Sequence, residues 1–250
     1  MFTLRLILRK TYFKVKTKLV STNMTENILG IIPARGGSKG IPRKNLVSIK
    51  GKPLIAYTIG ESLKSKYLDK IVVSTEDDEI TQVSQNYGAE TIKRPTELSG
   101  DSVFTEDVLL DAANQLKIKE NYFVDIIVVL QPTSPLRTAY DIDQAITIYN
   151  KNNCDAVVSV SKTKHPPHWI YKLDNNNKMS KFISTREIRR RQDSPNLFQL
   201  NGAIFVTNIS HLQNTRKIIS DNTIAYIMPE ERSIDIDSYF DLKITEFLLD

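Results

Sequence analysis

The sequence predicts an α/β fold: a mostly parallel β-sheet covered by helices on both faces. Two observations carry this. Short β-branched runs, apolar without alternation, recur along the chain, and between them lie stretches whose apolar residues keep helical spacing. Strand then helix, repeated, is the pattern of parallel strands joined by helical crossovers.

The strand runs are residues 27–32 (NILGII), 70–74 (KIVVS), 125–130 (DIIVVL), 155–160 (DAVVSV) and 202–206 (GAIFV). The first helix is carried by Leu54, Ile55, Thr58, Ile59 and Ser62, and the second by Ile80, Val83 and Tyr87 with Gly88 as its C-terminal stop. Val108, Leu109, Ala112, Ala113 and Leu116 mark a third helix, and residues 141–149 a fourth, with Ile142, Ala145, Ile146 and Tyr149 on one face. The alternation lapses between about residues 161 and 200, where KTKHPPHW and LDNNNKMSKF supply turn residues and REIRRRQDSP supplies charge. This stretch reads as an insertion, a small hairpin lobe.

With 250 residues, 40% apolar and 25% charged, the chain suffices for one sizeable core, and residues 24–250 are expected to form one domain. The formal charge of +5 is unevenly placed. Residues 1–23 hold six of the 34 cations and no acid, leaving 28 cations against 29 acids in the rest. A near-neutral body offers no footprint for nucleic acid. The basic head reads either as a surface-binding or transit-like arm or as a disordered extension upstream of a start at Met24, and the extension is the expectation. No run reaches the roughly 18 apolar residues of a membrane span, so a soluble, cytoplasmic protein without membrane insertion is expected. Cys154 stands alone, which excludes an intrachain disulfide, fits a reducing compartment and argues against a cysteine-based zinc site; it is read as a core residue.

In such sheets ligands bind beyond the carboxyl ends of the strands, and residues 31–45 (IIPARGGSKGIPRKN) form one of those exits. The stretch holds three glycines and four cations, Arg35, Lys39, Arg43 and Lys44, and no acid. It fits neither G-x-x-x-x-G-K-[ST] nor G-x-G-x-x-G, yet the physics is shared: Gly36 and Gly37 let backbone N–H groups approach a phosphate, and Arg35 and Lys44 supply charge. A solvated basic turn is the alternative. One RGG without interleaved aromatics makes a poor RNA site. A serine nucleophile in GGSKG would need His165, His168 or His211 as base, two of them in the insertion. Pro166 and Pro167 preclude a helix presenting His165 and His168 together to zinc. Near the C-terminus, Asp235 and Asp237 are two apart, so an extended backbone projects both carboxylates from one face and Ile234 and Ile236 from the other. That arrangement suits a cation, and equally an edge strand with a polar outer face.

Five blocks, IIPARGGSKGIPRKNL (31–46), RPTELSGD (94–101), LQPTSPLR (130–137), NGAIF (201–205) and SIDID (233–237), resemble in identity and order the CMP-N-acylneuraminate (CMP-sialic acid) synthetases, the acylneuraminate cytidylyltransferases. The resemblance implies a Rossmann-like sheet of the nucleotidyltransferase type with a small inserted dimerisation lobe. It also implies the reaction: the anomeric hydroxyl of a nine-carbon 2-keto sugar acid attacks the α-phosphorus of CTP, giving the CMP-sugar and pyrophosphate.

Carried over residue by residue, it assigns Arg35, Lys44 and Asp237 to catalysis, and Arg35, Gly36, Gly37, Ser38, Lys44 and Asn45 to the nucleotide. Arg94 and Thr105 fall where the family holds cytosine and ribose, although Thr105 also suits a helix N-cap. Gln131, Arg191 and Phe205 fall on the sugar side; the bland reading of the arginines at 189–191 is a solvated face. Asp235 and Asp237 would hold Mg2+. The implied partners are CTP, a nonulosonic acid and a second copy of the chain in a homodimer.

Three alternatives stand beside this reading. The sugar acid is legionaminic or pseudaminic acid; or it is 3-deoxy-manno-octulosonic acid, which GGSKG disfavours; or the chain is a nonenzymatic binder of an anionic partner through its basic head. Deleting residues 1–23 discriminates, since only the binder loses its activity.

Overall fold

The computed structural model describes residues 26–165, 167–183 and 195–249; the basic extension at 1–23, Met24 and the arginines at 189–191 lie outside them. The chain builds a seven-stranded sheet. In sequence its elements are β1 (Ile28–Pro33), a two-stranded ribbon of β2 (Ser48–Ile49) and β3 (Lys52–Pro53), α1 (Leu54–Ser62), β4 (Lys70–Thr75), α2 (Asp78–Asn86), β5 (Glu90–Lys93), α3 (Thr105–Glu120), β6 (Ile126–Leu130) and α4 (Ala139–Lys151). There follow β7 (Ala156–Lys162), β8 (Tyr171–Leu173), β9 (Met179–Lys181), β10 (Phe198–Asn208), α5 (Ile209–Thr215), β11 (Thr223–Ile227) and α6 (Tyr239–Leu248). The sheet order is β11-β7-β10-β6-β1-β4-β5.

The five strands and four helices read from the sequence are all present, and the sheet is mostly parallel as expected. One strand departs: β10 runs antiparallel to both β6 and β7. The reason is its approach. It follows the excursion after β7, whose described residues form no α-helix, and it pairs directly with β7 as the neighbouring strand, an arrangement open to a strand that returns in the opposite direction. The edge strands β5 and β11 and the helices α5 and α6 carried signals too short or too mixed to register in the sequence.

Consecutive residues of the central strands feed opposite layers, as a period of two requires. Ile32, Val128 and Ile204 pack with Ile59 and Ile146 on one face, while Ile31, Val129 and Val72 pack with Leu109 and Leu116 on the other. Both faces are therefore covered, and each fully buried aliphatic side chain contributes about 1.5–3 kcal/mol. Helix starts are secured by side chains: Asp77 accepts from Ile80 N at α2, and Thr138 and Asp141 form a capping box at α4.

Within residues 161–200, β7 and β10 pair outward to Lys162 and Phe198, and β8 and β9 form a separate antiparallel hairpin with all six residues exposed. A third, smaller cluster decides where the functional loops meet. Ile41 of the opening loop, Ile49, Leu54 and Leu242 bury Ile236, which lies between Asp235 and Asp237. Parallel pairing of β1 with β4 and β6 puts Pro33, Ser74 and Leu130 at one edge of the sheet. That edge is the carboxyl edge.

Candidate active site

Three loops leaving that edge, after β1, β5 and β6, and the segment before α6 enclose a cleft of about 370 Å3. Arg35, Gly37, Ser38, Lys44 and Asn45 line it from the loop after β1. Arg94 and Thr105 line it from the stretch between β5 and α3, Gln131 from the exit of β6, and Asp235 and Asp237 from the C-terminal segment. Gly36 and Phe205, both expected at the site, are not among its lining residues. The Gly36 N–H is committed to Glu76 Oε1 at 2.7 Å, and Phe205 sits half-buried against the core layer around Val129 and Val158. Arg191 lies outside the described residues.

The opening loop is tied down by acids on all sides. Arg35 Nη1 donates to Asp101 Oδ1 at 2.5 Å, and Lys39 reaches the other oxygen of Asp101 at 2.7 Å. Arg43, in the left-handed region at φ 54°, pairs with Asp77 and Glu79, and these carboxylates raise its pKa. Asn45 Nδ2 donates to the Arg35 carbonyl at 2.9 Å, so Asn45 shapes the loop as well as facing the cleft. Gly40 is demanded by contact: a Cβ there would stand 2.7 Å from the backbone oxygen of Asp237.

Lys44 spans the two ends of the site. Its ammonium donates to the Ile236 carbonyl at 2.7 Å and to Asp237 Oδ1 at 2.9 Å, with only 14% of the side chain exposed. Asp235 and Asp237 both face the cleft while Ile236 is fully buried, so the expected alternation is realised in an extended segment that joins no sheet. Thr133 anchors this segment by accepting from Ile236 N at 2.8 Å. Burial raises the pKa of Asp235; a hydrogen bond from Thr133 opposes the shift, and the nearby Asp237 charge adds to it. Asp235 Oδ1 is buried with no hydrogen-bond partner among the described residues. On β10, Gly202 at φ +73° lies beside this acid, where a Cβ would be 3.5 Å from Asp235 Oδ2 and from Gln131 Oε1.

Arg94 is 5% exposed and is held by Ser74 through Nε to Oγ (3.2 Å) and Nη2 to the carbonyl (2.6 Å); burial lowers its pKa. Thr105 opens α3 after Phe104, which occupies the N-cap without a side-chain cap bond, so the capping reading of Thr105 does not hold. Asp101, Glu76 and Thr133 were missed in the sequence. Asp101 and Thr133 stood inside the recognised blocks, but nothing in a linear pattern says that an acid will meet Arg35.

A mostly parallel sheet of this order, with cations and acids converging beyond its carboxyl edge, defines an α/β protein whose cleft lies where such sheets bind their ligands. A sequence profile of the cytidylyltransferases matches residues 29–221, and the chain belongs to that family. It is 35% identical over 224 residues to the N-acylneuraminate cytidylyltransferase of Escherichia coli, a match that covers 88% of this chain and 52% of that protein. The chain thus spans about half the length of that relative. It is 32% identical over 225 residues to the CMP-N,N'-diacetyllegionaminic acid synthase of Legionella pneumophila, covering 89% of this chain and 96% of the other. Among solved structures, a CMP:2-keto-3-deoxy-manno-octonic acid synthetase complexed with CTP superposes with a TM-score of 0.67 at 17% identity, over 90% of this chain and 98% of that one. That likeness shows the fold.

Proposed function

We propose that this chain is a cytidylyltransferase that joins CTP to a nine-carbon 2-keto sugar acid, N-acetylneuraminic acid or a relative such as legionaminic acid, and releases pyrophosphate. The observation that carries the reading is the convergence of Arg35 and Lys44 with Asp235 and Asp237 on one cleft. The named activities of the relatives and the CTP complex of the structural neighbour agree with it.

In this reading Arg35, Lys44 and the Gly37–Ser38 backbone hold the phosphates, and Arg94 with Thr105 holds the nucleoside. Gln131 faces the sugar, and the sugar carboxylate is assigned to Arg191 on the family resemblance alone, a guanidinium being suited to that group. The sugar hydroxyl attacks the α-phosphorus: the new O–P bond forms, the α–β bridging bond breaks, and pyrophosphate carries away the electron pair. Asp237, exposed in the cleft, receives the hydroxyl proton; Asp235, made more basic by burial, stands two residues away on the same side. Fixed charge and positioning do the rest.

Asp235 and Asp237 fit a divalent cation of the magnesium type. Two carboxylates face the cleft from one segment, and one buried oxygen of Asp235 lacks a partner among the described residues, so Asp235 and Asp237 would hold the ion together with oxygens of the substrate and water. When bound, the ion would neutralise phosphate charge and acidify the sugar hydroxyl.

The exposed Tyr171, Leu173, Met179 and Phe182 of the hairpin support homodimerisation through this lobe, to be read by sedimentation equilibrium. A cytoplasmic location fits the CTP requirement, and no helix among the described residues is long and apolar enough to cross a membrane. The deciding experiment is pyrophosphate release with CTP, Mg2+ and a panel of nonulosonic acids, repeated with UTP, ATP and GTP. Release that depends on CTP and one sugar acid supports the proposal; no release with any acid, or equal use of UTP, overturns it.

A further inference from the structure

Arg137 is 1% exposed, and among the described residues no carboxylate touches its guanidinium. Its donors go to neutral oxygens: Nη1 to the Gln131 carbonyl (3.1 Å) and the Ala203 carbonyl (2.8 Å), and Nη2 to Thr58 Oγ1 (2.7 Å). Nε is buried with no partner among the described residues. The acids that favour its charge from a distance are otherwise engaged. Asp141 is held by Arg232, and Glu61 by Lys64 and the Ala139 N–H. Burial pulls the Arg137 pKa down to about 10. A desolvated cation facing only neutral acceptors is a poor device for stability, because an apolar side chain of similar volume fills the space without the desolvation penalty. Its value must lie in what it holds.

It holds the cleft. The Gln131 carbonyl begins the wall formed by Gln131, Pro132 and Thr133, and Thr133 in turn carries the acidic segment through the Ile236 N–H. The Ala203 carbonyl follows Gly202, which packs beside Asp235 and the Gln131 side chain. One rigid fork therefore ties α1, the β6 exit and β10 at the place where the wall and the acids meet. We infer that Arg137 is a positioning residue for the transfer: it sets the distance between the Gln131–Thr133 wall and the Asp235–Asp237 segment, so that its loss slows the chemical step while leaving nucleotide binding nearly intact. This rests on the transferase reading above.

The test uses the whole chain with Arg137→Met and Arg137→Lys, each checked for cooperative unfolding; a lysine cannot donate to both carbonyls in a fixed fork, and it serves alone if the methionine variant does not fold. Two readouts are taken. In the ligand-free protein, amide hydrogen exchange should quicken in residues 131–134 and 234–238 while the β1 segment keeps its protection. In the reaction, kcat should fall about 100-fold, the cost of a misplacement near 1 Å, with KM for CTP changed less than about threefold. Unchanged kcat in a folded variant, unchanged protection at Ile236, or quickened exchange spread evenly through β1 would each overturn the inference. A wild-type chain that releases no pyrophosphate defeats the transferase reading instead, and the exchange data still decide whether Arg137 holds the wall and the acids together.

Discussion

Lys44 Nζ lies 2.9 Å from Asp237 Oδ1, although 193 residues separate the two. The contact joins the loop after the first strand to the segment before the last helix. The same ammonium donates to the Ile236 carbonyl, so it sits at the seam between the glycine-rich loop and the acid-bearing segment of the cleft. Lys44→Met keeps the stem and removes the charge. Turnover should drop roughly 100-fold, about 3 kcal/mol of lost preorganised donation, with unfolding still cooperative. Steady-state pyrophosphate release checks this; a normal rate in the folded variant would remove Lys44 from the mechanism.

Arg35 and Lys39 both lean on Asp101, a pairing that a triphosphate bound as in the proposed function would have to displace. Asp101→Asn should therefore lower KM for CTP, by about two- to fivefold given how weak exposed pairs are. The gain should shrink as salt is raised. Arg35→Ala should do the opposite and cost on the order of 100-fold in turnover. A rise in KM for Asp101→Asn would show that the acid positions Arg35 rather than competing for it.

Gly40→Ala places a methyl 2.7 Å from the Asp237 carbonyl oxygen, backbone against side chain, where neither can easily yield. A loss of about 1–3 kcal/mol in stability is expected, together with reduced activity, because the clash pushes the loop away from the acids. Gly37→Ala meets nothing within 4 Å and should be mild. Denaturant titration of the two variants compares them directly.

Asp141 is fully buried at the start of α4. Burial acts to raise its pKa, but two bonds from Arg232, with Tyr226 and Thr138, outweigh it and hold the group below the ordinary aspartate range. A depressed folded pKa contributes stability above the unfolded value, near 3.9, that is lost as pH falls through the folded one. Asp141→Asn should cost roughly 3–5 kcal/mol at neutral pH by leaving Arg232 without its partner. Its deficit relative to wild type should narrow below about pH 4. A pH-independent gap in urea unfolding would contradict the assignment.

Much of the layer plan was legible in the sequence. Runs such as IIVVL at 126–130 and the spaced Leu109, Ala112 and Leu116 encode burial on two faces, and burial is a local property of residue type and period. The paired acids at 235 and 237 were legible for the same reason, since alternation alone puts Ile236 inward. The antiparallel course of β10, the diversion of the Gly36 N–H to Glu76 and the absence of Phe205 from the cleft were not. Each depends on which distant segment arrives alongside.

What the sequence determined by itself was the period, the punctuation and the chemical inventory: apolar strands, glycine-rich exit, four cations, twin carboxylates. Only the tertiary structure decided their pairing. Ile41 and Leu54 come from the start of the chain's fold and Ile236 and Leu242 from its end, and burying them together is what brings Lys44 to Asp237. Hydrophobic burial has no direction along the chain, so which distant residues share a pocket is settled by packing and not by local pattern.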